Sequence, residues 1–246
     1  MTGLPLVWGE KGPFDPASKP AAAYLELSRS FAFRPIDILD RATLERGRLL
    51  FLAQPQLLAP SELAALDSWI RSGGRALILT DPILTWPSEL PLGDIRRPPR
   101  VGLLSPLLEH WRLSLESPAD ASEVAAHWNG RRVVLDAPGR LRSSSPDCVV
   151  APEDWTALCR LGRGQVRIVA DADLMRDSLW APSGPQRRVA DNPDAVADWL
   201  DSLAGIERRR PSGSATRAGS GVMAVGLALV GLGLAGALLL RRRRKR

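Results

Sequence analysis

The sequence predicts an α/β protein with a mainly parallel sheet flanked by helices, then an antiparallel β-hairpin region and a C-terminal transmembrane helix. Three observations lead to this class. Short apolar runs alternate with amphipathic segments through the first 80 residues, which is typical of a parallel sheet with helices packed on it. Short β-type runs separated by turns lie between residues 131 and 161. Residues 221–240 contain no charged or polar side chain.

The first elements follow one another in strand and helix order. We predict a buried strand over Leu4–Trp8, a helix over Ala21–Phe31 and a second strand over Arg34–Leu39. The apolar run Arg48–Pro55 is continuous and ends in a turn, which indicates a strand buried on both faces. These elements begin the predicted parallel sheet.

Residues 68–82, SWIRSGGRALILTDP, carry the clearest fold signal. The helix over Pro60–Ser72 is indicated by its initial proline and by apolar residues at spacings of three and four. Gly73 or Gly74 then ends the helix with a positive φ, and Arg75–Thr80 forms the next buried strand. Phosphate-binding glycines stand between a strand and the helix after it. Because this pair follows a helix instead, the pattern indicates helix capping and not a nucleotide loop.

The second half of the chain has shorter elements. A helix is predicted over Leu103–Trp111 and a strand over Arg112–Glu116. Gly162–Gly164 has the composition of a hairpin turn, and Gln165–Leu174 is a core strand that ends in acids. The amphipathic run Pro193–Leu203 predicts the last helix of a domain that covers residues 1–206.

Segments of different composition follow that domain. Residues 207–220 are predicted to be a polar linker, residues 221–240 a transmembrane helix and residues 241–246 a basic cytoplasmic tail. A 20-residue helix is about 30 Å long, which matches the hydrocarbon core of a bilayer. A buried core helix is the alternative, but it does not explain the basic residues directly after the span. Small residues at four-residue intervals suit either close packing with another membrane helix or a monomeric span.

The net charge of +6 belongs to the C-terminal segments. Without the basic residues at 241–246 and the four arginines between 208 and 217, 23 basic residues face 27 acidic ones. The composition therefore does not predict a nucleic-acid site on the domain. The positive-inside rule favours a single-pass protein of the inner (cytoplasmic) membrane, with an extracytoplasmic domain and a cytoplasmic C-terminus. Residues 1–10 resemble no export signal, so either the true start lies upstream or the domain is cytoplasmic and the short basic tail crosses the membrane.

The chain has two cysteines, Cys148 and Cys159. If Glu153 and Asp154 form the turn of a hairpin, the two cysteines face each other across it. This arrangement permits a cross-strand disulfide, which would fit an oxidising compartment. Two free buried thiols are an equally acceptable interpretation. The spacing is not that of a zinc site.

Acids follow two of the predicted core strands. Asp81 follows one of these strands, and Asp171 and Asp173 follow the other. Because open parallel sheets bind ligands at the carboxyl ends of their strands, these acids could share a ligand-binding rim with Trp8 and Asn192. The alternative is turn capping, which aspartate commonly provides at such places. The sequence predicts no nucleophile–histidine–acid set, no metal ligands and no cofactor.

Several segments resemble a known family. The run RLLFLAQPQLLAPSELAALDSWIRSGGRALILTDP resembles a block of bacterial auxiliary proteins of uncharacterised ABC-type transport systems, including the gliding-motility-associated GldG-like proteins. The runs GRGQVRIVADADLM and DNPDAVADWL are similar to the family's later strand and closing helix. The resemblance covers about residues 1–205 and implies a class I glutamine amidotransferase-like fold with membrane association. No cysteine follows either core strand, so it implies no catalytic residue.

Together these observations predict a non-enzymatic, membrane-anchored accessory or ligand-sensing component of an ABC-type transport system. The implied partners are ABC-type ATPase and permease subunits or other membrane proteins. A membrane-tethered hydrolase or transferase that uses the carboxylate rim is one alternative. A structural envelope protein is another.

Overall fold

The structure, a computed structural model, describes residues 1–118, 120–181 and 189–206. Its helices are α1 (Ala22–Ser28), α2 (Arg41–Leu44), α3 (Pro60–Arg71), α4 (Ser105–His110), α5 (Asp177–Trp180) and α6 (Asn192–Ala204). Its strands are β1 (Leu49–Ala53), β2 (Arg75–Leu79), β3 (Leu113–Glu116), β4 (Glu123–Trp128), β5 (Arg131–Asp136), β6 (Arg140–Ser143), β7 (Cys148–Val150), β8 (Thr156–Leu161) and β9 (Gly164–Val169). A 3₁₀ turn covers Asp173–Met175.

The main sheet has five strands in the order β1-β2-β9-β8-β7. Strands β1, β2 and β9 are parallel, whereas β8 runs antiparallel to both β9 and β7. Two further ladders, β3–β6 and β4–β5, are also antiparallel. The prediction of a mainly parallel, amidotransferase-like sheet is therefore wrong, and the fold is α/β with mixed pairing.

The physical reason lies in the connections and the prolines. The turn at residues 162–163 and the short segment between β7 and β8 can join only antiparallel strands, because a parallel pair needs a long crossover. The predicted strands Leu4–Trp8 and Arg34–Leu39 do not form, and only an isolated bridge joins Thr2 to Ala53. Both segments contain a proline, which cannot donate a ladder hydrogen bond.

Two helices cover opposite faces of the parallel strands. Leu77 and Leu79 of β2 belong to the cluster that includes α6, and Ile78 belongs to the cluster that includes α3. This alternation follows from the two-residue period of a strand. Burial of both faces fixes the register of β2 against β9, so the residues that follow these strands meet at one edge of the sheet.

The residues that the structure describes contain no transmembrane helix. In the described ranges, no helix has both the length and the apolar composition that a bilayer crossing requires. The longest, α6, has 13 residues, against about 20 for a typical span. The predicted linker (207–220), span (221–240) and tail (241–246) lie outside the described residues. We therefore correct the prediction of a single-pass inner-membrane protein with an extracytoplasmic domain.

Cys148 and Cys159 are directly opposite each other on β7 and β8, and a disulfide joins them. We expect reduction of this bond to lower the free energy of unfolding by about 3 kcal/mol, because the unfolded chain then regains the entropy of a short closed loop. Urea unfolding with and without a thiol reductant measures the difference. The Cys148→Ala/Cys159→Ala variant is the control and should not respond to the reductant. An unchanged midpoint for the reduced wild-type chain would contradict the prediction.

Candidate functional site

The three predicted acids come together at the carboxyl edge of β2 and β9. Asp81 follows β2, and Asp171 and Asp173 follow β9. Each of the three residues is 0 % exposed. The side chains therefore lie inside the molecule beneath the loops that follow the strands, and they do not line an open rim.

Asp81 ties the loops after three strands together. Its carboxylate accepts hydrogen bonds from the N–H of Ile83 (2.8 Å) and the N–H of Ala172 (3.0 Å). Its backbone is held by the side chain of Gln54, which follows β1: the amide nitrogen of Gln54 donates to the Asp81 carbonyl, and the Asp81 N–H donates to the amide oxygen. Each oxygen of this carboxylate is thus occupied by a main-chain donor.

Asp171 has the same role toward the β4–β5 ladder. One oxygen accepts the N–H of Leu174 at 2.7 Å, and the other accepts the N–H of Asp136 at 2.7 Å. Because Asp136 ends β5, this bond fixes that strand against the end of β9. Asp171 is therefore a structural link between the main sheet and a separate ladder.

Asp173 has a different environment. Its Oδ2 accepts the N–H of Thr85 at 2.6 Å and lies 2.9 Å from the Thr85 hydroxyl, which is also 2.6 Å from Oδ2 of Asp136. A hydroxyl carries one proton, so both contacts are fully satisfied only when one carboxyl group is protonated. Arg176 forms an ion pair with Asp136 at 2.7 Å. Among the described residues, Oδ1 of Asp173 is buried without a hydrogen-bond partner.

Burial governs the ionisation of these acids. It raises the pKa of Asp81 to about 7, although the backbone donors at Ala172 and Ile83 act to lower it. Burial also raises the pKa of Asp171 well above its usual range, and the charge of Asp81 adds to this effect. The pKa of Asp173 is raised by burial as well. All three acids therefore keep their protons to a higher pH than an exposed aspartate does.

The other two predicted rim residues are placed differently. Asn192 is buried, and its side chain pairs with both backbone groups of Val134 at 2.8 Å and donates to the carbonyl of Leu174 at 3.1 Å. It therefore anchors the start of α6 to β5. Trp8 is 54 % exposed, and its carbonyl accepts a hydrogen bond from the hydroxyl of Ser18. Neither residue is hydrogen-bonded to the three acids.

The three acids and four further residues form what we call the acid cluster. These four residues were not predicted from the sequence: Gln54, Thr85, Asp136 and Arg176. Gln54 lies at the end of the predicted run Arg48–Pro55 and directly follows β1, so the rule that brought the acids together could also have found it. The other three belong to loops and to the β4–β5 ladder. The sequence contains no strand register that would place these segments beside the acids.

The described residues offer little for nucleophilic or metal chemistry. His110 lies 3.6 Å from Asp67 at the surface, and His127 is exposed on β4. Neither histidine is bonded to the acid cluster. Within the described ranges, no group of three or more His, Cys, Asp or Glu side chains is arranged to hold a metal ion.

No family model matches the chain, and no curated protein matches it. Similar solved structures include an exo-β-1,4-mannosidase from Opitutaceae bacterium strain TAV5, at 13 % identity and a TM-score of 0.42, over 63 % of this chain and 25 % of that one. The GH42 β-galactosidase Gan42B from G. stearothermophilus has 14 % identity and a TM-score of 0.46, over 74 % and 25 %. The N-terminal domain of mmIFT52 has 13 % identity and a TM-score of 0.47, over 69 % and 82 %. The chain spans about a quarter of the length of the two glycosidases, and these distant likenesses assign no function.

Proposed function

We propose that this chain is a non-enzymatic accessory or ligand-sensing component of an ABC-type transport system. The non-enzymatic part of this proposal rests on the hydrogen bonds that the acids at the strand ends make. Both oxygens of Asp81 and both oxygens of Asp171 accept main-chain hydrogen bonds, and both residues are fully buried. The transport part rests on the resemblance of residues 48–82 to auxiliary proteins of such systems.

The positions of these carboxyl groups argue against a catalytic role. A general acid or base must come within hydrogen-bond reach of the substrate, directly or through one water molecule. A substrate could approach Asp81 or Asp171 only by displacing the loops that these residues hold in place. The simplest role of the cluster is therefore to fix the edge of the sheet as a rigid surface for a partner or ligand.

Affinity purification tests the proposal. The full chain would be tagged at its native locus and purified under mild detergent, and the recovered proteins would be identified by mass spectrometry. We expect enrichment of an ABC-type ATPase or permease subunit over an unrelated tagged protein expressed at the same level. Recovery without any transport subunit would contradict the assignment.

A second candidate function, a hydrolase or transferase, is favoured by one specific observation. The hydroxyl of Thr85 lies between the carboxylates of Asp136 and Asp173, beside Arg176, and the Asp136 side chain is 17 % exposed. A hydroxyl beside acids and a cation at a partly open site could take part in group transfer. Thr85→Val removes the hydroxyl and preserves the shape. If a panel of ester, phosphoester and glycoside substrates shows turnover that Thr85→Val abolishes, the enzyme is the better assignment.

A further inference from the structure

We propose that the open face of β7, β8 and β9 is a binding groove for a small-molecule carboxylate, with Arg167 as its buried cation. The groove has a volume of about 570 Å³ and is lined by residues that include Trp128, Val149, Thr156, Leu158, Arg160 and Arg167. Ligand pockets commonly enclose about 300–1,000 Å³. This site is separate from the acid cluster and gives the ligand-sensing role a location, but its test does not depend on a transport partner.

Arg167 occupies a position where the sheet otherwise places apolar side chains. It lies in the middle of β9, in register with Leu77 on one side and Leu158 on the other. Its chain neighbours Val166 and Ile168 point into the core on the α3 side. Arg167 therefore points to the α6 side of the sheet, in a row that continues through Leu158 to Val149 on the edge strand.

The charge of Arg167 has no counter-charge among the described residues. The residue is only 7 % exposed, and neither an ion pair nor a hydrogen bond engages its guanidinium in the described ranges. Its guanidinium stacks on the ring of Trp128, whose centroid lies 4.6 Å from the guanidinium carbon. Two other partly buried arginines differ: Arg131 pairs with Asp198, and Arg176 pairs with Asp136. A buried charge without a partner is costly, and stacking on one aromatic ring compensates for only part of that cost.

The accessible part of Arg167 is the part that a ligand would use. Its Nε is buried without a partner in the described ranges, whereas its two terminal nitrogens are at least partly accessible. Since these nitrogens make no hydrogen bond in the described ranges, they are free to meet a ligand in the groove that Arg167 lines. Burial lowers the pKa of Arg167 to about 10, so the side chain remains positively charged at neutral pH. Two donors in a planar fork match the two oxygens of a carboxylate.

The rest of the groove favours a singly charged ligand with an apolar body. Leu158 and the exposed Val149 provide an apolar floor, and Trp128 provides an aromatic wall whose indole N–H has no partner in the described part of the chain. The rim carries the exposed Arg160 beside Asp147, whose carbonyl accepts the Arg160 N–H at 2.8 Å. Because these two rim charges offset each other, the groove presents about one net positive charge. A monoanionic carboxylate fits this balance better than a doubly charged phosphate.

Isothermal titration calorimetry on the purified full chain tests the inference with 3-phenylpropionate as the probe. Its neutral amide and 3-phenylpropyl phosphate are the comparison ligands. We expect the acid to bind with a Kd of about 1 mM or tighter, and the amide and the phosphate to bind at least about tenfold more weakly. Arg167→Lys should weaken binding of the acid about tenfold, because it keeps the charge but loses the planar fork.

Arg167→Met is the decisive variant because binding and stability should change in different directions. It should abolish binding of the acid while leaving the thermal midpoint equal or higher, since it removes an uncompensated buried charge. Arg163→Met changes an exposed arginine of the β8–β9 turn and is the matched control. It should bind the acid like wild type. The proposal is overturned if the full chain does not bind the acid, if the amide or the phosphate binds as tightly, or if Arg163→Met weakens binding as much as Arg167→Met.

Discussion

The free energy of unfolding should fall by about 4 kcal/mol between pH 4 and pH 8 through the ionisation of Asp81 alone. Burial raises the pKa of this group from 3.8 to about 7. Well below pH 3.8 the carboxyl group is protonated in both the folded and the unfolded chain, so it contributes no pH dependence there. As the pH rises toward 7, the unfolded chain releases the proton and the folded chain retains it. The folded state therefore loses stability across this window and reaches the full loss above pH 7.

Asp81→Asn removes this contribution because its side chain cannot titrate, and it also removes the charge of Asp81 that raises the pKa of Asp171. At pH 4 the variant should already be about 1–3 kcal/mol less stable than wild type: its oxygen can accept the Ile83 N–H, but its NH₂ group then faces the Ala172 N–H. Between pH 4 and pH 8 the difference between the two proteins should shrink or reverse. Urea unfolding at several pH values measures this difference directly.

The wild type must be compared with the variant because the N-terminal amine changes the stability in the opposite direction as the pH rises. Burial lowers the pKa of the N-terminal amine of Met1 from 8.0 to about 6. The folded chain binds that proton more weakly, so the amine adds stability as the pH rises from 6 to 8. This contribution is the same in wild type and variant, and it cancels in the difference.

Asp94→Asn is the control for a carboxylate outside the cluster. Hydrogen bonds from Arg96 lower the pKa of Asp94 to about 2, so this carboxyl group is ionised in the folded chain throughout the window. Its variant should keep the wild-type pH dependence. If the difference in the free energy of unfolding between wild type and Asp81→Asn stays constant between pH 4 and pH 8, Asp81 does not retain its proton in the folded chain.

The sequence predicts the centre of the fold better than its edges. The block β1–α3–β2 follows from an initial proline, an apolar stripe and a glycine pair, all of them local features, and Gly73 does adopt a positive φ. The meeting of Asp81 with Asp171 and Asp173 follows from parallel strand ends, which share one edge. The prediction of a parallel sheet was wrong beyond β1, β2 and β9, because the pattern of short apolar runs does not distinguish the direction of a strand.

The character of the site could not be predicted in the same way. Whether the acids are open or buried depends on loops such as the one that carries Thr85, and no periodicity in the sequence positions these loops. Arg167 did leave a signal. In the run QVRIV, the two-residue alternation places this arginine on the same side as buried Val169, so a charge points inward. The prediction for this run was only a core strand.

Gly164→Ala should lower the free energy of unfolding by at least about 4 kcal/mol or prevent folding, because the new methyl group would collide with backbone. A Cβ at this position would lie 1.9 Å from the carbonyl oxygen of Ile70 and 2.3 Å from that of Gly74. Both oxygens belong to the end of α3 and the turn after it. The neighbouring residues bind this segment: the Arg163 N–H donates to Arg71, and the Gln165 N–H donates to Gly74. No rotamer change can relieve the collision.

Gly130→Ala separates this steric effect from backbone strain. Gly130 has a φ of +78°, and a Cβ there meets nothing within 4 Å. Its substitution therefore introduces strain without a collision and should cost about 1–2 kcal/mol. Chemical unfolding of both variants gives the comparison. Equal losses for the two variants, or a loss below about 1 kcal/mol for Gly164→Ala, would mean that the β8–β9 hairpin can move away from α3. In that case the close contact between them would not contribute to the stability of the fold.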